Sequence, residues 1–317
     1  MTEEKQEFRE ISELITKHMD EIRQELWSFT AALAETIDAR TPYNGNHMRN
    51  VAEYVARMAD YMNELHAQGL EEEYFDKQRK EQLVLGALLH DIGKMVIPLG
   101  IMNKTERLAN TERIQARFNL ISAYYEIDCL KGYLTKEEEQ YKQEELKRVI
   151  KLAQKANTAD VIDGQLAAEL EEILHLVYEG KDREPIPYFT QAEKDSLRVE
   201  KGTLTEAERE VMESHVIMTE RILSKVRFDK YFADSPKWAV THHEMLDGSG
   251  YPYHLKGEEL ATESRMLAIA DICDGLLATD RPYKKPMTKD LAFAIMEEMA
   301  EEGKLDKKLV EYMKHCI

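Results

Sequence analysis

The stretch LVLGALLHDIGK, residues 83–94, carries both the fold of this chain and the start of its chemistry. Its apolar run leads directly into His90-Asp91, and Gly93 and the later Pro98 close the helix, so a polar end emerges from a buried body. Steps of three and four return to the same side of a helix, which sets Ala87, His90, Asp91 and Lys94 on one face. A carboxylate such as Asp91 can bridge two cations through its two oxygens, while Lys94, one turn on, can neutralise a phosphate oxygen. Standing alone, a His-Asp pair reads as a cap or a surface pair. Preceded by an apolar helix and followed by Gly-Lys, it reads as the beginning of a site.

Helical periodicity extends in both directions. Phe8, Ile11, Ile15, Met19, Ile22, Leu26, Phe29 and Leu33 paint one stripe, so residues 1–30 are expected to form a long amphipathic helix. That helix either docks on its own domain or pairs with a second copy and relays a signal. After the turn signal at residues 42–46, Val51, Tyr54, Val55, Met58 and Met62 share a helix face with His47. Residues 104–200 have a different texture, with charged amphipathic helices such as KEEEQYKQEELKRVIKLAQKA, and read as an inserted helical subdomain. No segment alternates apolar and polar residues for long, so an all-α architecture is expected, a helical bundle interrupted by a helical insertion.

Composition narrows the function. With 317 residues, 43% of them hydrophobic and a third charged, the chain is expected to be soluble and folded. A formal net charge of −18 disfavours a broad grip on duplex nucleic acid, which needs a basic surface, so an anionic ligand would need a local cationic site. Cys129, Cys273 and Cys316 are scattered, which suggests neither a disulfide framework nor a thiolate zinc site. No apolar run approaches the ~20 residues of a membrane span, and MTEEKQEF lacks the order of a signal peptide, so a cytoplasmic setting is expected.

Of the ten histidines, His47, His90, His215, His242 and His243 sit in helical or helix-end contexts beside an acidic partner or an apolar face. Imidazoles and carboxylates suit zinc, iron, manganese or nickel, and there are enough of them here for two ions. In HHEMLDGSGYP, residues 242–252, adjacent histidines can address neighbouring ions, the glycines let backbone approach a ligand, and Glu244 or Asp247 can orient a ring through its second nitrogen. Asp271 ends an apolar stretch, where a metal partner accounts economically for a buried carboxylate. His18, His66, His175, His254 and His315 lie among charged residues and read as ordinary surface.

HDIGK, HHEMLDGSGYP, the AD of AIADICD and the DRPYKK segment together resemble the HD-GYP family, a branch of the HD-domain phosphohydrolases. The resemblance covers residues 31–103 and 201–317, leaving 104–200 as the insertion. It implies an all-α HD-domain bundle with a two- or three-metal centre, often iron, that degrades cyclic di-GMP and in some members related cyclic dinucleotides. By position it implies His47, His90, Asp91 and Asp271 around one ion and Asp91, His215, His242 and His243 around the other, with Asp91 as the bridge. Lys94 matches the phosphate-contacting lysine, Arg281 and Lys284 the segment that approaches the nucleotide, and Tyr251 the GYP loop, also proposed to dock diguanylate cyclase domains.

Two departures bear on the transfer. Members with a third ion hold it through a glutamate where this chain has Tyr43, so two ions are expected, and the insertion interrupts what compact members run straight through. The implied reaction is hydrolysis of the cyclic dinucleotide to the linear dinucleotide, and onward to GMP, by water activated between the ions, with Asp91 and Lys94 as the central residues. Rival readings are an HD phosphohydrolase acting on another nucleotide, and a silent module that binds a cyclic dinucleotide or a partner and signals through the N-terminal helix.

Overall fold

A computed structural model of the chain describes residues 3–40, 46–278 and 287–317, so Tyr43, Arg281 and Lys284 lie outside the described residues. Among the described residues the fold is all-α apart from one two-stranded hairpin, and it divides into two compact units, residues 1–97 with 211–317 and residues 98–210.

The first unit opens with α1 (Glu3–Asp38), α2 (His47–Ala67) and α3 (Lys77–Leu89), followed by a 3-10 turn at Ile92–Val96. Residues Val51, Val55, Met58 and Met62 of α2 are buried with His47 on the same side, while Tyr54 is half-buried. Burying each such side chain is worth ~1.5–3 kcal/mol as an upper estimate, so this face fixes how α2 is rotated. The start of α2 is capped from a distance: Asn46 makes no side-chain cap, and Asp38 at the end of α1 accepts from the Met48 amide at 3.3 Å. In α3, Asp76 caps in the ordinary way, accepting from the Arg79 amide at 2.8 Å.

Helix α1 differs from the expected stripe. Ile22 and Phe29 are 59% and 64% exposed, and the buried line runs through Thr30, Ala34 and Ile37, with Leu26 and Trp27 partly packed. Thr30 tolerates burial because its hydroxyl donates to the Leu26 carbonyl at 2.8 Å. The side chains of Phe8, Ile11, Ile15, His18 and Met19 lie outside the described ones.

The second unit comprises α4 (Leu99–Met102), α5 (Thr111–Leu130), α6 (Lys136–Thr158), α7 (Gly164–Leu174), β1 (Val177–Tyr178), β2 (Ile186–Pro187), α8 (Gln191–Leu197) and most of α9 (Glu206–Glu213). Its strands pair antiparallel, Val177 with Pro187 and Tyr178 with Ile186, and two residues are too short to leave an alternating signal in sequence. Its own core gathers Phe118, Tyr125, Val149, Tyr178, Tyr188 and Phe189. The aromatic hydroxyls are satisfied internally: Tyr125 bonds Tyr188 at 2.8 Å, and Tyr178 donates to Asp128 at 2.5 Å. Arg107 is fully buried and donates to the carbonyls of Ala156, Ala159, Val199 and Glu200, spreading its charge over backbone oxygens at the end of α6 and after α8. Near the two ends of this unit, Lys104 pairs with Glu208 at 2.6 Å and Thr203 donates to the Lys104 carbonyl at 2.9 Å.

The first unit resumes with α10 (His215–Leu223), α11 (Ser235–Ala239), α12 (Thr262–Leu277), α13 (Lys289–Glu301) and α14 (Lys307–Lys314). α12 buries Met266, Leu267, Ile269, Ala270 and Cys273 against the same core as α2 and α3. Met296 is fully buried and Met299 packs beside it, filling the space under α13.

Candidate metal centre

Three histidines are delivered by helix ends, and by the same device. The last carbonyls of a helix lack intrahelical partners. His90 Nδ1 bonds the Ala87 carbonyl at 2.6 Å after α3, His215 Nδ1 the Met212 carbonyl at 2.7 Å at the end of α9, and His242 Nδ1 the Ala239 carbonyl at 2.7 Å after α11. In each case the acceptor lies three residues earlier, so Nδ1 donates to the backbone and Nε2 is the atom turned inward.

Those Nε2 atoms gather round Asp91. Its Oδ1 stands 3.3 Å from His215 Nε2 and 3.9 Å from His242 Nε2. Its Oδ2 stands 3.3 Å from His90 Nε2 and 3.6 Å from His47 Nε2, and also accepts from Lys94 Nζ. Asp271 Oδ1 faces His47 Nε2 at 3.1 Å and His90 Nε2 at 3.8 Å, while its Oδ2 is 3.7 Å from His243 Nδ1. The ligand atoms of His47, His90 and Asp271 lie within 4.8 Å of one another, as do those of His215, His242 and His243, and those of His90, Asp91 and His242. All seven sequence-expected ligands therefore converge, the two carboxylate oxygens of Asp91 facing different histidine sets.

The local backbone departs from the expected single helix face. α3 stops at Leu89, Asp91 takes φ −103°, and the chain continues as the 3-10 turn, whose i→i+3 spacing still carries Lys94 back to Asp91. Thr219 of α10 holds this turn, donating to the His90 carbonyl at 3.0 Å and accepting from the Gly93 amide at 3.0 Å. A Cβ at Gly93 would stand 1.9 Å from the His215 carbonyl oxygen, so only glycine permits this approach.

The loop after His243 is also built differently from expectation. Glu244 is buried and orients no ring; it accepts from the amides of Tyr253 at 2.6 Å and Leu255 at 3.0 Å. Asp247 accepts from the Ser249 amide and hydroxyl. These short-range amides lie nearer to both carboxylates than any imidazole. Gly250 lets the loop fold back, since a Cβ there would stand 2.4 Å from the His243 carbonyl oxygen, and the Tyr251 ring lies 4.7 Å from that of His243. The ring-orienting carboxylate is Asp274, whose Oδ2 sits 2.7 Å from His47 Nδ1. Sequence reasoning passed over it, although it stands three residues after Asp271 on an apolar helix. Of the five other histidines, His66, His175, His254 and His315 are exposed.

Electrostatics divide the centre. Burial pushes the Asp91 carboxyl up, but the charges of Lys94 and His90 and the close imidazoles of His215 and His90 hold it well below the usual carboxylate range. Asp271 is likewise held far down against burial by His47 and His90. Burial works against protonating His47 and His90, yet their carboxylate neighbours raise them to about 9 and about 10. Lys94 is raised against burial by Asp91 and Asp271. On the other side, burial and neighbouring imidazoles push His242 well below its ordinary value, and burial lowers His243 to about 4. Two histidines thus keep neutral rings with free lone pairs beside a pair of carboxylates.

A metal fits this donor set. Among the described residues, the buried side-chain polar atoms without a hydrogen-bond partner include Nε2 of His90, His215 and His242 and Oδ1 of Asp91. Unpaired buried donors and acceptors cost ~1–3 kcal/mol each, and a cation would satisfy all four. Second-ring contacts to backbone and Asp274 are those expected around metal-binding imidazoles.

Two family models, both described as HD domain, match residues 44–199 and 194–309. Over 97 residues the chain is 44% identical to the 3'3'-cGAMP-specific phosphodiesterase 3 of Vibrio cholerae, an alignment covering 31% of this chain and 20% of that protein. It is 40% identical over 111 residues to the cyclic di-GMP phosphodiesterase response regulator RpfG of Xanthomonas campestris, covering 35% of this chain and 28% of that one. With a cyclic di-GMP phosphodiesterase of Thermotoga maritima it shares 37% over 117 residues, 35% of this chain and 29% of that one. The chain thus spans less than a third of the length of these curated relatives. No helix among the described residues is long and apolar enough to cross a membrane.

Proposed function

This chain belongs to the HD-domain family, and from that premise we propose that it is a metal-dependent phosphodiesterase of the HD-GYP type that hydrolyses a cyclic dinucleotide, cyclic di-GMP foremost. The observation that carries the reading is the pair of donor sets on either side of Asp91: His47, His90 and Asp271 for one ion, and His215, His242 and His243 for the other. Its catalytic domain is residues 31–103 with 201–317, residues 1–30 are the N-terminal amphipathic helix, a candidate for pairing with a second copy or relaying a signal, and 104–200 the insertion. The names of the relatives support both cyclic di-GMP and 3'3'-cGAMP as candidate substrates. Iron is the resident metal proposed, with manganese, nickel and zinc compatible with the same ligands.

Two bound ions would supply Lewis-acid polarisation of the phosphodiester and acidification of a water between them. The protein's own groups do the rest. Asp91 offers one oxygen to each donor set and stays ionised, so it can serve both without losing charge. Lys94, partly open to solvent, carries a fixed positive charge beside Asp91 and is poised to steady a phosphate oxygen as negative charge gathers there. The Tyr251 ring, packed on His243, forms a wall against which a base can lie. Arg281 and Lys284 complete the substrate contacts in this reading. The immediate product is the linear dinucleotide, which a second cut turns into GMP. The setting is cytoplasmic, with partners drawn from diguanylate cyclase domains, an upstream sensor and a second copy through α1.

The test is Asp91→Asn. Anaerobically purified wild-type protein should contain two metal equivalents and convert cyclic di-GMP or 3'3'-cGAMP to the linear dinucleotide, while the variant should lose both turnover and metal. Undiminished hydrolysis in the variant refutes the assignment. A wild-type protein that binds metal but cleaves neither dinucleotide leaves the silent module.

A further inference from the structure

His47 is held differently from the other three inward-facing helix-end histidines. Its Nδ1 meets no backbone carbonyl; it meets a side chain, Asp274 Oδ2, at 2.7 Å. The second oxygen of that carboxylate accepts from Asn50 Nδ2 at 2.9 Å. The spacing matches on both sides. His47 and Asn50 are i and i+3 on α2, Asp271 and Asp274 are i and i+3 on α12, and such pairs stand side by side on a helix surface. The result is a three-rung ladder between the helices: His47 to Asp271 at 3.1 Å, His47 to Asp274 at 2.7 Å, and Asn50 to Asp274 at 2.9 Å. Asp274 is buried, so its charge needs these partners.

We infer that Asp274, steadied by Asn50, is the positioning residue for the His47/His90/Asp271 half of the centre, fixing His47 with its proton on Nδ1 and its Nε2 lone pair turned to the cation. The inference deepens the proposed function and rests on its metal-binding reading. It predicts an asymmetry. His215 and His242 are oriented by main-chain carbonyls that no substitution removes, so losing Asp274 should weaken one ion and spare the other. A carboxylate behind an imidazole also makes the ligating nitrogen more basic, and removing such a partner commonly lowers metal affinity about 10–100-fold.

The experiment is a manganese titration of chelator-treated full-length protein by calorimetry, with stoichiometry checked by elemental analysis, on wild type, Asp274→Ala, Asp274→Asn and Asn50→Ala. Wild type should show two equivalents. Asp274→Ala should weaken one by ~10–100-fold and leave the other within about twofold. Asp274→Asn, whose amide oxygen can still accept from Nδ1 but carries no charge, should restore part of the loss, and Asn50→Ala should move the same ion by a smaller factor. Equal weakening of both ions, or of neither, in a folded Asp274→Ala protein overturns the inference while the functional reading stands. If Asp274→Ala does not fold, Asn50→Ala decides, and unchanged affinity for both ions there overturns it. Wild-type protein that binds no manganese fails the functional reading itself.

Discussion

Replacing Gly93 by alanine should damage this protein out of proportion to one methyl group. The new Cβ would stand 1.9 Å from the His215 carbonyl oxygen, 2.6 Å from the Thr219 amide nitrogen and 2.8 Å from the Thr219 hydroxyl. Two of these are backbone atoms of α10, which no side-chain rotation can move aside. To reach the shortest separation real Cβ atoms tolerate, the 3-10 turn and α10 must part by ~1.1 Å. Overpacking of this kind costs ~1–3 kcal/mol, and parting the segments also breaks the Gly93–Thr219 hydrogen bond, worth ~1 kcal/mol. A loss of about 2–4 kcal/mol corresponds, for a unit of about 200 residues, to a fall in Tm of roughly 5–15 °C. Thermal and urea unfolding followed by circular dichroism measure it. Thr219→Val, which removes the hydroxyl without adding bulk, separates the hydrogen-bond share, ~1–3 kcal/mol. If Gly93→Ala unfolds within about 0.5 kcal/mol of wild type, a surface-like effect, the close approach of the turn to α10 is not a constraint and the reasoning fails.

Three further outcomes follow from the same geometry. In chelator-treated protein His47 and His90 are raised from 6.5 to about 9 and about 10, so their contribution to stability is complete below about pH 6.5 and is lost as pH climbs through those values; urea midpoints should fall between pH 6.5 and 10, and a rising trend contradicts the assignment. Glu244→Gln leaves one acceptor where two amides now bond, so hydrogen exchange at Tyr253 or Leu255 should quicken, with a stability loss of ~1–3 kcal/mol; unchanged protection at both would exclude Glu244 as the anchor of this loop. Arg107→Met removes the donors to four carbonyls and should expose the α6 C-terminus to exchange, destabilising the 98–210 unit by about 3 kcal/mol or more; native-like protection there would mean water replaces the guanidinium at no cost.

What could be read from the chain depended on how local the cause was. His90-Asp91 and His242-His243 were legible because the apolar run before one pair and the glycine loop after the other lie in adjacent sequence. His47 and His215 stood out by their helical context, but their assignment to one ion or the other came only through the resemblance, since nothing in their surroundings announces the distant Asp91. Ring orientation was not legible. It depends on which residue ends each helix, and the i−3 carbonyl device becomes apparent only once α3, α9 and α11 are seen to stop where they do. Glu244 and Asp247 were sought as ring partners because carboxylates next to histidines invite that reading; nearby amides claim both instead. The N-terminal stripe was a true periodicity, but period alone does not say which side of a helix packs. Ile22 and Phe29 face solvent, while Thr30 and Asp38, both polar, are buried because each has a hydrogen bond to take inside.

The tie between Lys104 and Glu208, with Thr203 on the Lys104 carbonyl, bears on how the molecule assembles in time. Asp91 and His215 meet only after the chain between them has closed, and a flexible loop of roughly 120 residues pays an entropy of about 4 kcal/mol for closure. A 98–210 unit that has already condensed, its ends clasped by Lys104 and Glu208, shortens the effective loop to fewer than about 20 free residues and lowers that entropy by ~1–2 kcal/mol. The Lys104–Glu208 clasp thereby offsets the closure cost that the length of the 98–210 unit would otherwise add between Asp91 and His215.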